Sequence, residues 1–335
     1  MSVQSSKPQI RLPKDALTRI NLGNSFAEYD KILTQPSIFV ETPAILAAQD
    51  ASRAKCFFVG RRGTGKTAVT YFLETRNPKT TIRILPQIAS YKYLVDLDEL
   101  RDPRRQPFKS LVSSFKRALL DEVLSEWHNR KLLPFKDFPP TLNKERNYLE
   151  DYDFDLRVMA FSEDLFDCLK KNNQKEWVRL SKRANDIIKQ MEELIQGPAW
   201  EFILLIDRID ESWDGSDEAV ILLMALMHAC VELTSEACLR PLLFLRENIF
   251  ERVREIDNEF SRLETCVVSM DWTREQLLEM IERRLNLPFN TKLPLRGPTW
   301  DYFFEVSEGK SSQSMVFEYC QERPRDYFDL LFFCS

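Results

Sequence analysis

Residues 60 to 67 read Gly-Arg-Arg-Gly-Thr-Gly-Lys-Thr. Gly60, Gly65, Lys66 and Thr67 match G-x-x-x-x-G-K-[ST], a pattern whose glycines let the backbone wind around a polyphosphate with its N–H groups turned inward. The chain has only 8 glycines in 335 residues, yet Gly60, Gly63 and Gly65 fall within six positions. Arg61, Arg62, Gly63, Thr64 and Ala68 complete the expected phosphate-contacting stretch. In this pattern Lys66 reaches the β- and γ-phosphates and the Thr67 hydroxyl holds Mg²⁺. The helix that should start there adds the positive end of its dipole. The cofactors so implied are ATP and Mg²⁺. Guanine is disfavoured, because the only Asn-Lys pair, Asn143-Lys144, is followed by Glu-Arg and lacks the Asp that reads that base.

A second chemical element follows some 140 residues later in WEFILLIDRIDESW. Phe202 to Ile206 are apolar without alternation, as expected for a parallel strand covered on both faces. The strand ends at Asp207, where a carboxylate can orient Mg²⁺ together with Thr67. Hydrolysis also needs a group that positions water. The residue after Asp207 is Arg208, so Asp210 and Glu211 are the candidates, with Glu211 favoured for its longer reach; either can instead cap the next helix or pair with Arg208. A further apolar run, Leu242 to Leu245, delivers Arg246 to the same edge. There it either senses the γ-phosphate or pairs with Glu247 or Asp210.

The rest of the chain must position these groups. The first 24 residues are polar and read as a mobile lead-in. A nucleotide-binding domain is expected over 25–270, interrupted by a mainly helical insertion at about 110–197, which Gly197-Pro198 should stop. Thr42 and Pro43 signal a helix start; just before them, Phe39 and Val40 either pack beside that helix or wall an adenine pocket. The segment 80–100 should supply one or two strands, and Arg101, Arg104, Arg105 and Lys109 form a basic cluster that is either a solvated loop or a phosphate or nucleic-acid contact. ETCVVSM reads as a last strand. A helical lid is expected over 271–335, opened by a capping box at Thr273 and Gln276 with Trp272 and Leu277 as staple. Near its end Arg323 and Arg325 flank Pro324 at a helix start, where arginines invite an anion or an ion pair with Asp326.

Composition excludes several classes. No run of eighteen apolar residues occurs, so no membrane span is expected, and the N-terminus lacks a secretory h-region. Seven singly placed cysteines read as reduced core residues of a cytoplasmic protein. With only His128 and His228 available, far apart in sequence, neither a zinc site nor a histidine-based catalytic arrangement is expected, and His228 reads as a core residue. A net charge of −5 argues against a globally basic nucleic-acid binder.

FVGRRGTGKT, ILLIDRIDESW, LLFLREN and ERPRDYFDLL together come in the order of the AAA+ and STAND branch of P-loop ATPases, and the chain resembles bacterial proteins of that branch and, more loosely, the origin-recognition group. The resemblance implies an α/β P-loop NTPase fold, a doubly wound, mainly parallel sheet followed by a helical lid. It places Gly60, Gly65, Lys66 and Thr67 in Walker A, Asp207 in Walker B, Arg246 at a sensor-1-like position and Arg325 at a sensor-2-like position on the lid. Arg208 departs from the commoner Asp-Glu pair. The expected activity is a slow, ATP-hydrolysing switch that engages a protein effector or nucleic acid. If subunits assemble as a homo-oligomer, Arg246, Arg252 and Arg254 are the first candidates to complete a neighbour's site. The rivals are a nucleotide-binding scaffold without turnover and a small-molecule kinase.

Overall fold

Short runs of β-branched, leucine and phenylalanine residues form the sheet, and longer amphipathic segments form the helices around it. The computed structural model describes residues 15–50, 55–88, 100, 102–131, 138–144, 150–196, 202–236, 239–289, 293–304 and 311–334. The helix stop expected at Gly197-Pro198, Arg101 of the basic cluster, Cys238 and the first fourteen residues of the lead-in lie outside the described residues.

Five parallel strands form one sheet among the described residues: β1 (Phe57–Gly60), β2 (Thr81–Ile84), β3 (Phe202–Ile206), β4 (Leu239–Arg246) and β5 (Val267–Ser269), in the order β2-β3-β4-β1-β5. Every residue of β3 is buried, as its unbroken apolar run requires. The protein is thus α/β with an all-parallel sheet. The strand expected over Leu242 to Leu245 is longer than its apolar run and takes in Pro241. Proline lacks an N–H, so it suits a strand only where no ladder bond is needed. The β4 ladder toward β1 begins with the Leu243 N–H bonding Cys56 O at 2.8 Å, and Pro241, two residues earlier, precedes it.

The chain divides into two compact units. One comprises Pro43–Arg62 and Val69–Met270, and holds the sheet. Its helices include α1 (Pro43–Gln49), which starts at the predicted Pro43, α2 (Lys66–Arg76) from Val69 onward, and the inserted α3 (Gln106–Asn129), α4 (Phe154–Lys170) and α5 (Gln174–Gln196). α3 is the hub of the insertion: Lys116 on it meets Glu192 of α5 at 2.8 Å, and its Arg117 guanidinium lies 3.6 Å from the Phe161 ring of α4. α6 (Asp217–Glu236) follows β3, and its His228 is a core residue as expected, 8% exposed and 3.0 Å from Asp257.

The other unit comprises residues up to Thr42, Gly63–Ala68 and Asp271–Ser335. It contains α9 (Arg274–Asn286), α10 (Pro298–Phe303), α11 (Ser312–Tyr319) and α12 (Pro324–Cys334), while α7 (Glu247–Ile256) and α8 (Phe260–Glu264) belong to the sheet unit. The capping box of Thr273 and Gln276 is present at the start of α9. Residues before Thr42 join this unit through polar contacts that hydrophobic periodicity does not announce. Arg284 bonds Asp30 at 2.7 Å and the carbonyl of Leu22 at 2.7 Å, and Arg283 bonds the carbonyl of Ser37 at 3.0 Å.

A buried carboxylate holds the turn into α10. Arg296 and Gly297 both have positive φ, 67° and 118°, a conformation that costs a non-glycine residue about 1 kcal/mol or more. Glu282, fully buried, accepts the N–H groups of Gly297 at 2.7 Å, Trp300 at 3.0 Å and Arg296. Burial raises its carboxyl pKa, and these N–H donors oppose the rise. Glu282→Ala would strand three amides, so an unfolding titration should show a loss of about 3 kcal/mol; a change within about 0.5 kcal/mol would refute this role for the carboxylate.

Candidate functional site

The strand order determines where a ligand crevice can open. β1 leads through α2 to β2 on one side of the sheet, whereas β4 leads through α7 and α8 to β5 on the other, crossing β1. Adjacent strands whose connections diverge leave a crevice at their carboxyl ends, the usual ligand position in open α/β sheets. Here those strands are β1 and β4. Gly60 and Arg246 are register partners at that edge, so the first glycine of the motif and the candidate sensor arginine are neighbours.

Around this edge the sheet unit gathers Gly60, Arg61, Asp207, Asp210, Glu211, Arg246 and Glu247. Asp207 is 3% exposed, with its N–H donated to the Ile84 carbonyl at 3.1 Å. Arg208 then takes a left-handed conformation, φ 62°, and a single 3-10 turn over Ile209–Glu211 follows. This reversal brings Asp210 into an ion pair with Arg246, and Arg208 lies 3.7 Å from Glu211. Arg61, the second residue of the loop, pairs with Glu247 at 3.1 Å. Of the two carboxylates named as partners for Arg246, Asp210 is the one it pairs with. Arg252 and Arg254 are likewise paired, Arg252 with Asp217 and Glu255 at 3.1 and 2.8 Å and Arg254 with Glu251 and Glu264 at 3.5 and 3.1 Å.

The second half of the motif, Gly63 to Ala68, belongs to the other unit. Gly63 and Gly65 have φ of +88° and +91°, and α2 starts at Lys66. Two consecutive carbonyls of the loop have specific donors. The Trp272 Nε1–H bonds Thr64 O at 2.9 Å, and the Arg325 backbone N–H bonds Gly63 O at 3.3 Å. Trp272 was legible in the sequence only as a staple residue; nothing in its spacing signals a bond to a loop some 200 positions away. Arg325, second residue of α12, places its guanidinium 4.7 Å from the Phe26 ring, and Arg323 pairs with Asp326 at 2.7 Å. Val40 is packed among Leu277, Ile281, Trp300 and Tyr327, while Phe39 keeps part of its ring accessible.

These residues suit a polyphosphate. The two positive-φ glycines turn the loop backbone, the helix start supplies N–H groups, and Lys66 and Thr67 stand at its first two positions. Among the described residues no group of three or more His, Cys, Asp or Glu converges on a metal site. A Mg²⁺ bound through one hydroxyl, one carboxylate and the ligand's own phosphates needs no such cage.

The loop glycines differ in what they tolerate. A Cβ on Gly63 would lie 2.9 Å from Arg325 Cβ, whereas one on Gly65 would meet only Ala68 and Trp272 at 3.9 and 4.0 Å. Gly65→Ala should therefore cost about 1 kcal/mol of backbone strain, and Gly63→Ala about 1–2 kcal/mol more. Thermal unfolding of both variants tests the order, and equal losses would contradict it.

No family model matches the chain, and no solved structure matches it. A curated protein to which it is similar is the "Putative transposon gamma-delta 80.3 kDa protein" of Escherichia coli (strain K12), 24% identical over 327 residues, or 92% of this chain and 46% of that protein. The chain thus spans about half the length of this relative.

Proposed function

We propose that the protein is a P-loop ATPase of the AAA+/STAND type that binds ATP with Mg²⁺ and hydrolyses it slowly as a switch. The observation that carries this reading is the register pairing of Gly60 with Arg246 at the carboxyl ends of β1 and β4. The phosphate-binding sequence motif thereby starts where an open parallel sheet presents its ligand site. Gly60 to Ala68 would hold the phosphates, with Lys66 countering their charge; Thr67 and Asp207 would hold Mg²⁺, which withdraws charge from the phosphates. Phe39 is the better of the two candidate adenine contacts, because Val40 is committed to its core.

Roles for the acidic residues follow from their partners. Asp210 is paired with Arg246 and Glu211, 66% exposed, with Arg208; Glu211 has the longer reach and is the group assigned to position water. Arg246 would exchange Asp210 for a phosphate oxygen. The guanidinium is about one-third exposed, and ion pairs at such positions contribute little, on the order of 1 kcal/mol. A second reading, a nucleotide-binding scaffold without turnover, is favoured by the pairing of both candidate carboxylates with arginines. The transposon name of the relative makes DNA a partner to include in the test, alongside a protein effector or a second copy of the chain; no helix among the described residues is long and apolar enough to cross a membrane.

The test is Mg²⁺-dependent phosphate release and ATP affinity for the wild type and three variants, with and without DNA. Lys66→Ala should weaken ATP binding about 10- to 100-fold, and Trp272→Phe, which keeps the ring but loses the bond to Thr64, about 5-fold. Glu211→Gln should bind ATP normally while turnover falls about 100-fold. Tight ATP binding without any wild-type turnover would favour the scaffold, and ATP affinity indifferent to Lys66→Ala would sink the reading altogether.

A further inference from the structure

At the opposite end of β1 from the phosphate motif lie two cysteines that the proposed ATPase chemistry does not use. Cys56 immediately precedes β1 and Cys266 immediately precedes β5. The N–H groups of Cys56 and Phe57 both bond the carbonyl of Cys266, at 3.0 and 3.1 Å, so the two residues face each other at the start of adjacent parallel strands. Neighbouring strands run about 4.8 Å apart, within the Cα separation that a disulfide accepts.

The two thiols have different surroundings. Cys56 is 1% exposed and belongs to the sheet core, whereas Cys266 is only partly buried. Around Cys266 are the Thr265 hydroxyl, 3.8 Å from its sulfur, Lys55, whose ammonium bonds the Thr265 carbonyl at 2.8 Å, and Arg262. A hydrogen bond from the Cys56 thiol is the largest cause that lowers the Cys266 pKa, to about 6, with Thr265, Lys55 and Arg262 adding to it against the opposing effect of burial. The same bond, together with burial, pushes the Cys56 thiol up. The Cys266 sulfur also lies 3.9 Å from the Arg262 carbonyl; of the two thiols Cys266 is the more acidic and the more accessible, which makes it the better nucleophile, with Cys56 the protonated partner beside it.

We propose that Cys266 and Cys56 form a modification site for peroxides, with Cys266 as the reacting thiol and Cys56 as the resolving one. The Cys266 thiolate attacks one oxygen of hydrogen peroxide; the O–O bond breaks, hydroxide leaves and is protonated to water, and Cys266 becomes a sulfenic acid. The Cys56 sulfur then attacks the Cys266 sulfur. The S–O bond breaks, and the departing hydroxide takes the Cys56 proton as a second water. Two thiols lose two electrons and peroxide gains them. The resulting disulfide joins the starts of β1 and β5, at the far end of the strand that ends in Gly60.

The test uses the full chain, reduced, then treated with hydrogen peroxide and digested with trypsin for mass spectrometry. The expected product is the Cys56–Arg61 peptide cross-linked to Leu263–Arg274. In Cys56→Ala the sulfenic acid should instead persist on Cys266 and be captured by dimedone. Alkylation of Cys266 by iodoacetamide should rise with a midpoint near pH 6, about two units below that of an ordinary thiol. Wild-type protein in which both cysteines stay free at peroxide doses that oxidise partly exposed Cys320 would overturn the proposal, as would a Cys266 alkylation midpoint above about pH 8. Because no nucleotide is present, the outcome is independent of the ATPase reading.

Discussion

The constraint on which the candidate site depends is the placement of β4 between β1 and β3. Parallel neighbours cannot be joined by a tight turn, so each strand needs a crossover of a dozen residues or more. The crossovers on the two sides of the β1–β4 pair leave in opposite directions, and the carboxyl ends of such strands are the usual ligand position in open α/β sheets. Register then sets which residues share that edge: Gly60 opposite Arg246, with Asp207 at the end of the next strand over. The order also explains how groups from positions 60, 207 and 246 share one edge although a long helical insertion separates the first two.

The ion pairs of the sheet unit fall into two kinds. Arg157 with Glu122, and Lys116 with Glu192, are largely buried between the inserted helices. Removing one member there would leave a desolvated charge, so those pairs bind the insertion together and are poor candidates for change. Arg246 with Asp210, Arg208 with Glu211, and Arg61 with Glu247 are more exposed and line the strand ends. Water screens the Arg61–Glu247 pair and reaches Glu211, whereas Asp210 is about as buried as Glu122.

Much of this was legible in the sequence because local physics dictates it. The unbroken apolar run of Phe202 to Ile206 needs a central strand, Thr42-Pro43 starts a helix, and Thr273 with Gln276 forms the capping box it spells. The misses share a cause: they depend on partners distant in sequence. Pro241 argues against a strand until the ladder of β4 toward β1 is seen to begin only at Leu243. The attachment of the described residues before Thr42 to the C-terminal helices combines Val40 in their core with Arg284 and Arg283 reaching Asp30, Leu22 and Ser37. The ion pair of Arg246 with Asp210, by contrast, was among the partners the sequence named, and it forms next to the left-handed turn at Arg208.

The loop itself shows why its carbonyls matter as much as its amides. A phosphate is bound by N–H groups, yet every peptide plane carries a carbonyl pointing the other way, and an unpaired buried carbonyl is costly. Fixing the carbonyls therefore fixes the direction of the N–H groups on the opposite edges of the same planes. Gly63 O is taken by the Arg325 backbone and Thr64 O by the Trp272 indole. The two planes so held are those whose N–H groups belong to Thr64 and Gly65, immediately before the helix start at Lys66. Arg325 thus contributes through its backbone whatever its guanidinium does, and Trp272 orients the Thr64–Gly65 peptide although its ring lies outside the motif.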